Sequence, residues 1–205
     1  MNILIHPGYF PNIATFVAIA KAKHVVLEVQ DNYQKQTYRN RCYIYGANGR
    51  LQLSIPVIYT QKNRQKYADV TIANTYNWQD IHWKSLESAY RTSPFFEFYA
   101  DELQPLFTET FDSLLAFNLK CFVVICDCLQ LDLSISKTVS FDKSPKDIED
   151  LRALVDAKKE KFPSFENYTQ VFSNTHGYLN NLSILDLLFN EGPNALSYLE
   201  SQKTN

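Results

Sequence analysis

The sequence predicts an α/β fold: an N-terminal Rossmann-like βαβ unit and a small mixed sheet, packed on a mainly helical C-terminal part. Three observations carry this. A β-branched run, Val25-Val26-Leu27-Glu28-Val29, follows an apolar start and a helical stretch within thirty residues. Asn48-Gly49 lies between two strand-like runs, a strong hairpin signal. From Trp78 onward the sequence turns helical in its apolar spacing.

Asn2–Ile5 reads as the first strand, stopped by His6-Pro7-Gly8. Residues 13, 16, 17 and 20 are apolar at helical spacing over Ile13 to Lys23, with Asn12 as N-cap. Val25–Val29 is the next strand, continuous as in a sheet covered on both faces. A strand, helix, strand sequence of this length is a βαβ unit with parallel strands. Arg41–Tyr45 and Leu51–Val57 form the hairpin, and Asp69–Ile72 a further short strand. Helices are expected at Asp80–Arg91, from Pro94 to about Leu103 with Ser93 as N-cap, and over Pro105–Leu131. Lys137–Ser144 reads as a polar connection and Lys146–Lys161 as a charged helix. The last helices are Leu182–Asn190 and, after the Gly192-Pro193 break, Asn194–Gln202. The expected organisation is an α/β ligand-binding part at residues 1–75 and a mainly helical part at 76–205, forming one integrated domain.

Composition narrows the function classes. The 205 residues are 45% hydrophobic, enough to bury a substantial core, and Gly is scarce at 5. No Gly-rich phosphate loop is present. Nine of the 20 Lys and Arg lie in residues 1–66, beside only Glu28 and Asp31 among the 22 acids. A cationic N-terminal part draws anionic ligands. The overall charge of −2 and the absence of a long basic run argue against nucleic acid as partner. Nothing resembles a signal peptide, and the most apolar segment, Cys121–Leu133, is too short to span a bilayer. Four cysteines without a C-x-x-C pair read as buried free thiols in a reducing cytoplasm. Neither a metal nor a cofactor is expected: the four His are isolated and lack metal-ligand spacing.

The chemistry concentrates in Asn32 to Arg41, ten residues with three cations, two phenols and no acid. Lys35, Arg39 and Arg41 can grip a phosphate or carboxylate, while Gln36 and Asn40 offer amides and Tyr33 a ring face. A solvated basic strand or edge guard is the plainer alternative, against which stands the clustering of these cations with no acid nearby to pair them. His6 stands at the carboxyl end of the first strand, where ligands collect in open parallel sheets. It is a candidate acid, base or anion anchor, or a local hydrogen-bonding residue of a tight turn. Trp78 and Trp83 frame His82, a second acid/base candidate, and either indole can stack on a sugar or anchor the core. His176 and Asn181 are further, weaker candidates. Cys42 reads as a buried strand cysteine.

Pro7-Gly8-Tyr9-Phe10-Pro11, the run Tyr33 to Arg41 and Leu53-Ser54-Ile55-Pro56-Val57 together resemble the WbqC-like protein family. So do Trp78, His82-Trp83-Lys84, Tyr90, Pro94-Phe95-Phe96 and the tail from Asn181 to Pro193. The resemblance covers nearly the whole chain. It implies a bacterial protein of surface polysaccharide (O-antigen) biosynthesis, with glycine or aminoacyl transfer to a sugar as the suggested reaction. Where many members have Gln before the first Pro, this chain has His6. That moves the expected reacting centre toward Lys35, Arg39, Asn40 and Arg41, with His82 as the acid/base.

Two functions follow as expectations. One is a transferase, glycyl, aminoacyl or nucleotidyl in type, acting on an anionic donor such as a nucleotide sugar or activated amino acid. There Lys35, Arg39 and Arg41 hold the anion, Tyr9 and Tyr33 hold the ring, and His82 takes the acceptor proton. The alternative is a non-catalytic module that binds a nucleotide sugar or a protein partner, with Pro94 to Tyr99 as its interface.

Overall fold

The structure is a computed structural model that describes residues 1–60, 64–158 and 164–203. β1 (Asn2–Ile5), α1 (Ile13–Ala20) and β2 (His24–Leu27) form the expected βαβ unit, with β1 parallel to β2 from Asn2 opposite His24 to Ile5 opposite Leu27. Asn12 caps α1 through its side-chain oxygen, which accepts from the Thr15 N–H at 3.1 Å. β3 (Arg41–Gly46) and β4 (Gly49–Ser54) are the antiparallel hairpin. Its Ala47-Asn48 turn closes on Gly49 at φ 99°, a left-handed angle that glycine adopts without strain. β5 (Val57–Ile58) and β6 (Thr71–Ile72) make a second short antiparallel pair.

Helices α2 (Trp78–Tyr90), α3 (Phe96–Leu103), α4 (Pro105–Thr108) and α5 (Leu114–Cys128) follow. The chain then returns to the first sheet with β7 (Ser134–Lys137) and β8 (Glu149–Asp150). It ends with α6 (Ser173–His176), α7 (Ile184–Glu191) and α8 (Ala195–Ser201). The parallel sheet runs β7-β2-β1-β8. Counted in chain order its strands stand 3-2-1-4, the doubly wound arrangement whose direction reverses beside the first strand. Here the reversal lies between β1 and β8.

Two of these four strands come from beyond residue 75, so the sheet crosses the expected boundary at 75/76. One apolar cluster runs from Ile3 to Leu199. At its centre Phe189 packs on Tyr90 and Phe96 at 5.0 and 5.1 Å between ring centroids, tying α7 to α2 and α3. Burying one such ring contributes about 1.5–3 kcal/mol. The carboxylate of Asp186 is buried in the same region and accepts from Tyr90 and Tyr168 hydroxyls and from Gln170 Nε2. Burial raises its pKa, and those three donors oppose the rise.

Several boundaries differ from expectation for identifiable reasons. The long helix over Pro105–Leu131 is split, because the backbone at Asp112 and Ser113 pairs with Ile72 and Thr71. Ser93 does not cap α3: its hydroxyl donates to the Tyr90 carbonyl and closes α2, and α3 starts at Phe96. The charged stretch 146–161 is not a helix over its described part, since Glu149 and Asp150 pair with β1 and a 3-10 turn follows at Arg152–Val155. Residues 159–161 lie outside the described residues. β7 was not expected at all. In the aromatic run Pro94 to Tyr99, Phe96 and Tyr99 are buried and only Phe98 among the rings is strongly exposed, at 67%.

Gly192 ends α7 at φ 53°, and a Cβ there would stand 2.5 Å from the Phe95 ring. Gly192→Ala is therefore expected to cost roughly 2–4 kcal/mol, left-handed strain adding to overpacking. A drop in the urea midpoint with unchanged slope checks this.

Candidate functional site

The carboxyl ends of β1 and β8 open on a cavity of about 440 Å³. This is the sheet's reversal point, the usual place for a ligand in such sheets. His6, Asp31, Gln34, Arg39, Arg152 and Asp156 contribute to its wall. His6 leaves the end of β1, Asp31 follows β2, and Arg152 follows β8.

Arg39 is wholly buried, 0% exposed. Its Nη2 donates to Asp31 Oδ2 at 2.6 Å, and its guanidinium lies 5.2 Å from the Tyr67 ring centroid. Among the described residues its Nε and Nη1 have no acceptor, and Asp31 Oδ1 has no donor. His6 completes the group: Nε2 lies 2.8 Å from Asp31 Oδ2, and Nδ1 donates to the Arg152 carbonyl at 3.2 Å. Both ring nitrogens face acceptors, which favours the imidazolium. Burial pulls the other way and lowers the His6 pKa, the Asp31 carboxylate offsetting part of the shift. Arg152 is already engaged with Asp150, Glu28 and the Asp142 carbonyl, and it braces the rim.

The segment Asn32 to Asn40 is an irregular loop that leads into β3 at Arg41, held by main-chain bonds to three other parts of the chain. Tyr33 N–H donates to the Gln65 carbonyl, Tyr38 N–H to Val155, and Tyr9 N–H to Tyr38, each at 2.8 Å. Gly8 permits the last contact, because a Cβ there would lie 2.9 Å from the Tyr38 carbonyl oxygen. Gln36 turns the loop at φ 63°. Arg39 thereby points inward while Lys35 stays exposed.

A second cavity, about 460 Å³, adjoins the first through Gln34, which lines both. Tyr33, Lys35, Tyr59 and Arg64 lie on its wall, which among the described residues holds no carboxylate. Tyr33 and Tyr59 are 5.2 Å apart between centroids. Burial and Tyr59 push the Tyr33 phenol up to about 12, and Arg39 and Arg41 partly oppose them.

The structure thus gathers His6, Tyr33, Lys35 and Arg39 about one pair of cavities. Asn40 and Arg41 are on the wall of neither cavity: Asn40 Nδ2 donates to the Ile55 carbonyl, and Arg41 opens β3 with an unpartnered Nε among the described residues. His82 is elsewhere. It is 3% exposed, and its Nδ1 accepts from the Tyr9 hydroxyl at 2.8 Å. Burial lowers its pKa to about 4, against a hydrogen bond with the Ser54 main chain. Trp78 lies edge-on to His82 and Phe117, and Trp83 packs on Phe96 and Phe107. Tyr9, Trp78 and His82 are therefore enclosed in the core, and neither cavity includes them. His176 bonds the Ala47 carbonyl of the hairpin, and Asn181 Oδ1 accepts from Ala14 N–H in α1. Burial raises the Cys42 thiol pKa, as suits a core cysteine.

Sequence reasoning missed Asp31. The cations of the loop are not without an acid, since Asp31 immediately precedes it and pairs with Arg39. The signal was its position one residue outside the cationic run.

Among the described residues no helix is long and apolar enough to cross a membrane. No solved structure matches the chain. A protein of Mycobacterium tuberculosis (strain ATCC 25618 / H37Rv), described as "Uncharacterized protein Rv1507c", is 24% identical over 225 residues, spanning 96% of each chain. The model of one family matches residues 6–161, which include every wall residue named for both cavities, and on that match the chain belongs to the WbqC-like protein family.

Proposed function

We propose that this protein is a transferase that binds an anionic, activated donor at the carboxyl edge of its parallel sheet. The observation that carries this is Arg39. A buried guanidinium has five N–H donors, and burying donors unpaired is costly. Here one nitrogen meets Asp31, while Nε and Nη1 are buried without an acceptor among the described residues, in a side chain that lines a cavity of ligand size. A phosphate or carboxylate of the donor satisfies them.

Asp31 and Arg39 then divide the chemistry. An acceptor hydroxyl or amine donates to Asp31 Oδ1 and attacks the activated carbon of the donor. The bond to the phosphate breaks, its growing charge is held by Arg39 and Lys35, and the acceptor proton passes to Asp31. His6 positions Asp31 and shares its charge. His82, sealed against Tyr9, is given no part. Aminoacyl or glycyl transfer to a sugar in surface polysaccharide assembly is the reaction of this class that the family resemblance favours.

The test is a thermal-shift screen of the whole chain against nucleotide sugars, amino acids and aminoacyl-adenylate analogues. A ligand at a hundredfold excess over its Kd adds about 2.7 kcal/mol of stability. Lys35→Ala, on an exposed side chain, is expected to weaken that ligand about tenfold and leave the unliganded midpoint unchanged. A panel with no hit, or a hit indifferent to Lys35→Ala, would count against this reading.

A further inference from the structure

The two cavities differ in chemistry in a way that divides the substrate. The Arg39 cavity holds both signs: Arg39 and Arg152 against Asp31 and Asp156. The adjoining one carries Lys35 and Arg64, amide side chains and two phenol rings, and among the described residues no carboxylate is on its wall. Among the described residues neither Lys35 nor Arg64 has an ion-pair partner, whereas Arg152 is bonded to Asp150 and Glu28. A basin with cations and aromatic faces but no acid suits a ligand that is itself anionic and carries a flat ring.

From this we infer that the Tyr33–Tyr59 basin binds the nucleoside phosphate part of the donor, with the group to be transferred reaching past Gln34 to Asp31. This rests on the transferase reading and adds to it the class of leaving group. The ring lies against Tyr59 or Tyr33, and Lys35 and Arg64 meet the phosphates. Tyr33 joins the two halves: its ring centroid is 6.4 Å from that of Tyr67, the ring beneath Arg39. About 460 Å³ is within the range of small-ligand pockets and accommodates a mononucleotide. The transferred group then meets the mixed-charge wall, which suits a hydroxyl-rich sugar or an aminoacyl ammonium.

The test is calorimetric titration of the whole chain with ADP, UDP, adenosine, uridine and pyrophosphate. A nucleoside diphosphate is expected to bind at least tenfold more tightly than either its nucleoside or pyrophosphate. Tyr59→Leu is expected to raise the diphosphate Kd about tenfold and leave pyrophosphate unchanged. Arg64→Ala, on an exposed side chain, is expected to weaken both. Pyrophosphate binding as tightly as the diphosphates, or no nucleotide binding at all, overturns the inference. So does full diphosphate affinity in Arg64→Ala, which serves if Tyr59→Leu fails to fold. The two readings fail separately. A donor bound at Arg39 with no response in either basin variant leaves the transferase standing, and tight nucleotide binding without any transfer leaves only the basin.

Discussion

Asp31→Asn is expected to lower stability by about 3–5 kcal/mol and to reduce transfer at least a hundredfold. The two losses share a cause. Asp31 is the acid paired with a guanidinium that has no exposure to solvent. The amide keeps the shape and one acceptor but leaves the Arg39 charge uncompensated, and breaking a buried pair from one side costs more than the pair itself gains. It also replaces the carboxylate whose unpartnered Oδ1 is proposed to receive the acceptor proton. Urea denaturation in dilute buffer reads the first loss. Adding sulfate or phosphate separates the explanations: an anion that enters the cavity restores the Asp31→Asn variant more than it raises the parent. Equal effects of the anion on both proteins would show that the space beside Arg39 takes none.

A fall in stability of about 2–3 kcal/mol is expected between pH 7 and pH 4.5 from His82 alone. Its pKa is depressed by burial to about 4 in the folded protein, against an ordinary 6.5. Between those values the unfolded chain binds the extra proton, so the stabilisation is present above pH 6.5 and is lost as pH falls toward 4. His6, also lowered, works in the same direction. His82→Gln retains an acceptor for the Tyr9 hydroxyl and cannot titrate. Midpoints measured from pH 7 to 4.5 should therefore slope less in the variant than in the parent, and parallel slopes would refute the assignment.

The parts of the fold written locally were legible. Asn12 before an apolar helical repeat, the β-branched run after it and Asn48-Gly49 each act within a few residues. β8 was not legible, because Glu149-Asp150 has no apolar pattern and becomes a strand only by pairing with Ile3 and Leu4. The split before α5 is likewise a tertiary effect, imposed by Val70 and Ile72 through their main-chain bonds with Leu114 and Asp112. At the site, residue types suggested an anion-binding loop, and Tyr33, Lys35 and Arg39 lie on cavity walls. Depth was the quantity the sequence did not carry. His6 and His82 look alike as candidates, yet one lines a cavity and the other is closed in by Tyr9 and Trp78. Asp31 escaped notice because the Gln36 turn, not any regular spacing, brings it to Arg39.

The position of β8 also sets the order in which the site can be built. β1 leaves the ribosome before β8, and Glu149 follows Leu27 by on the order of 120 residues, roughly 6–25 s at 5–20 residues per second. Through that interval the β1 edge that β8 will cover presents unpaired main-chain groups, a template for wrong strands. The His6 wall has neither Arg152 nor Asp156 across from it. Nascent chains therefore pass through a stage with an open sheet edge and half a cavity, and it is at this stage that a holding chaperone would have most to protect.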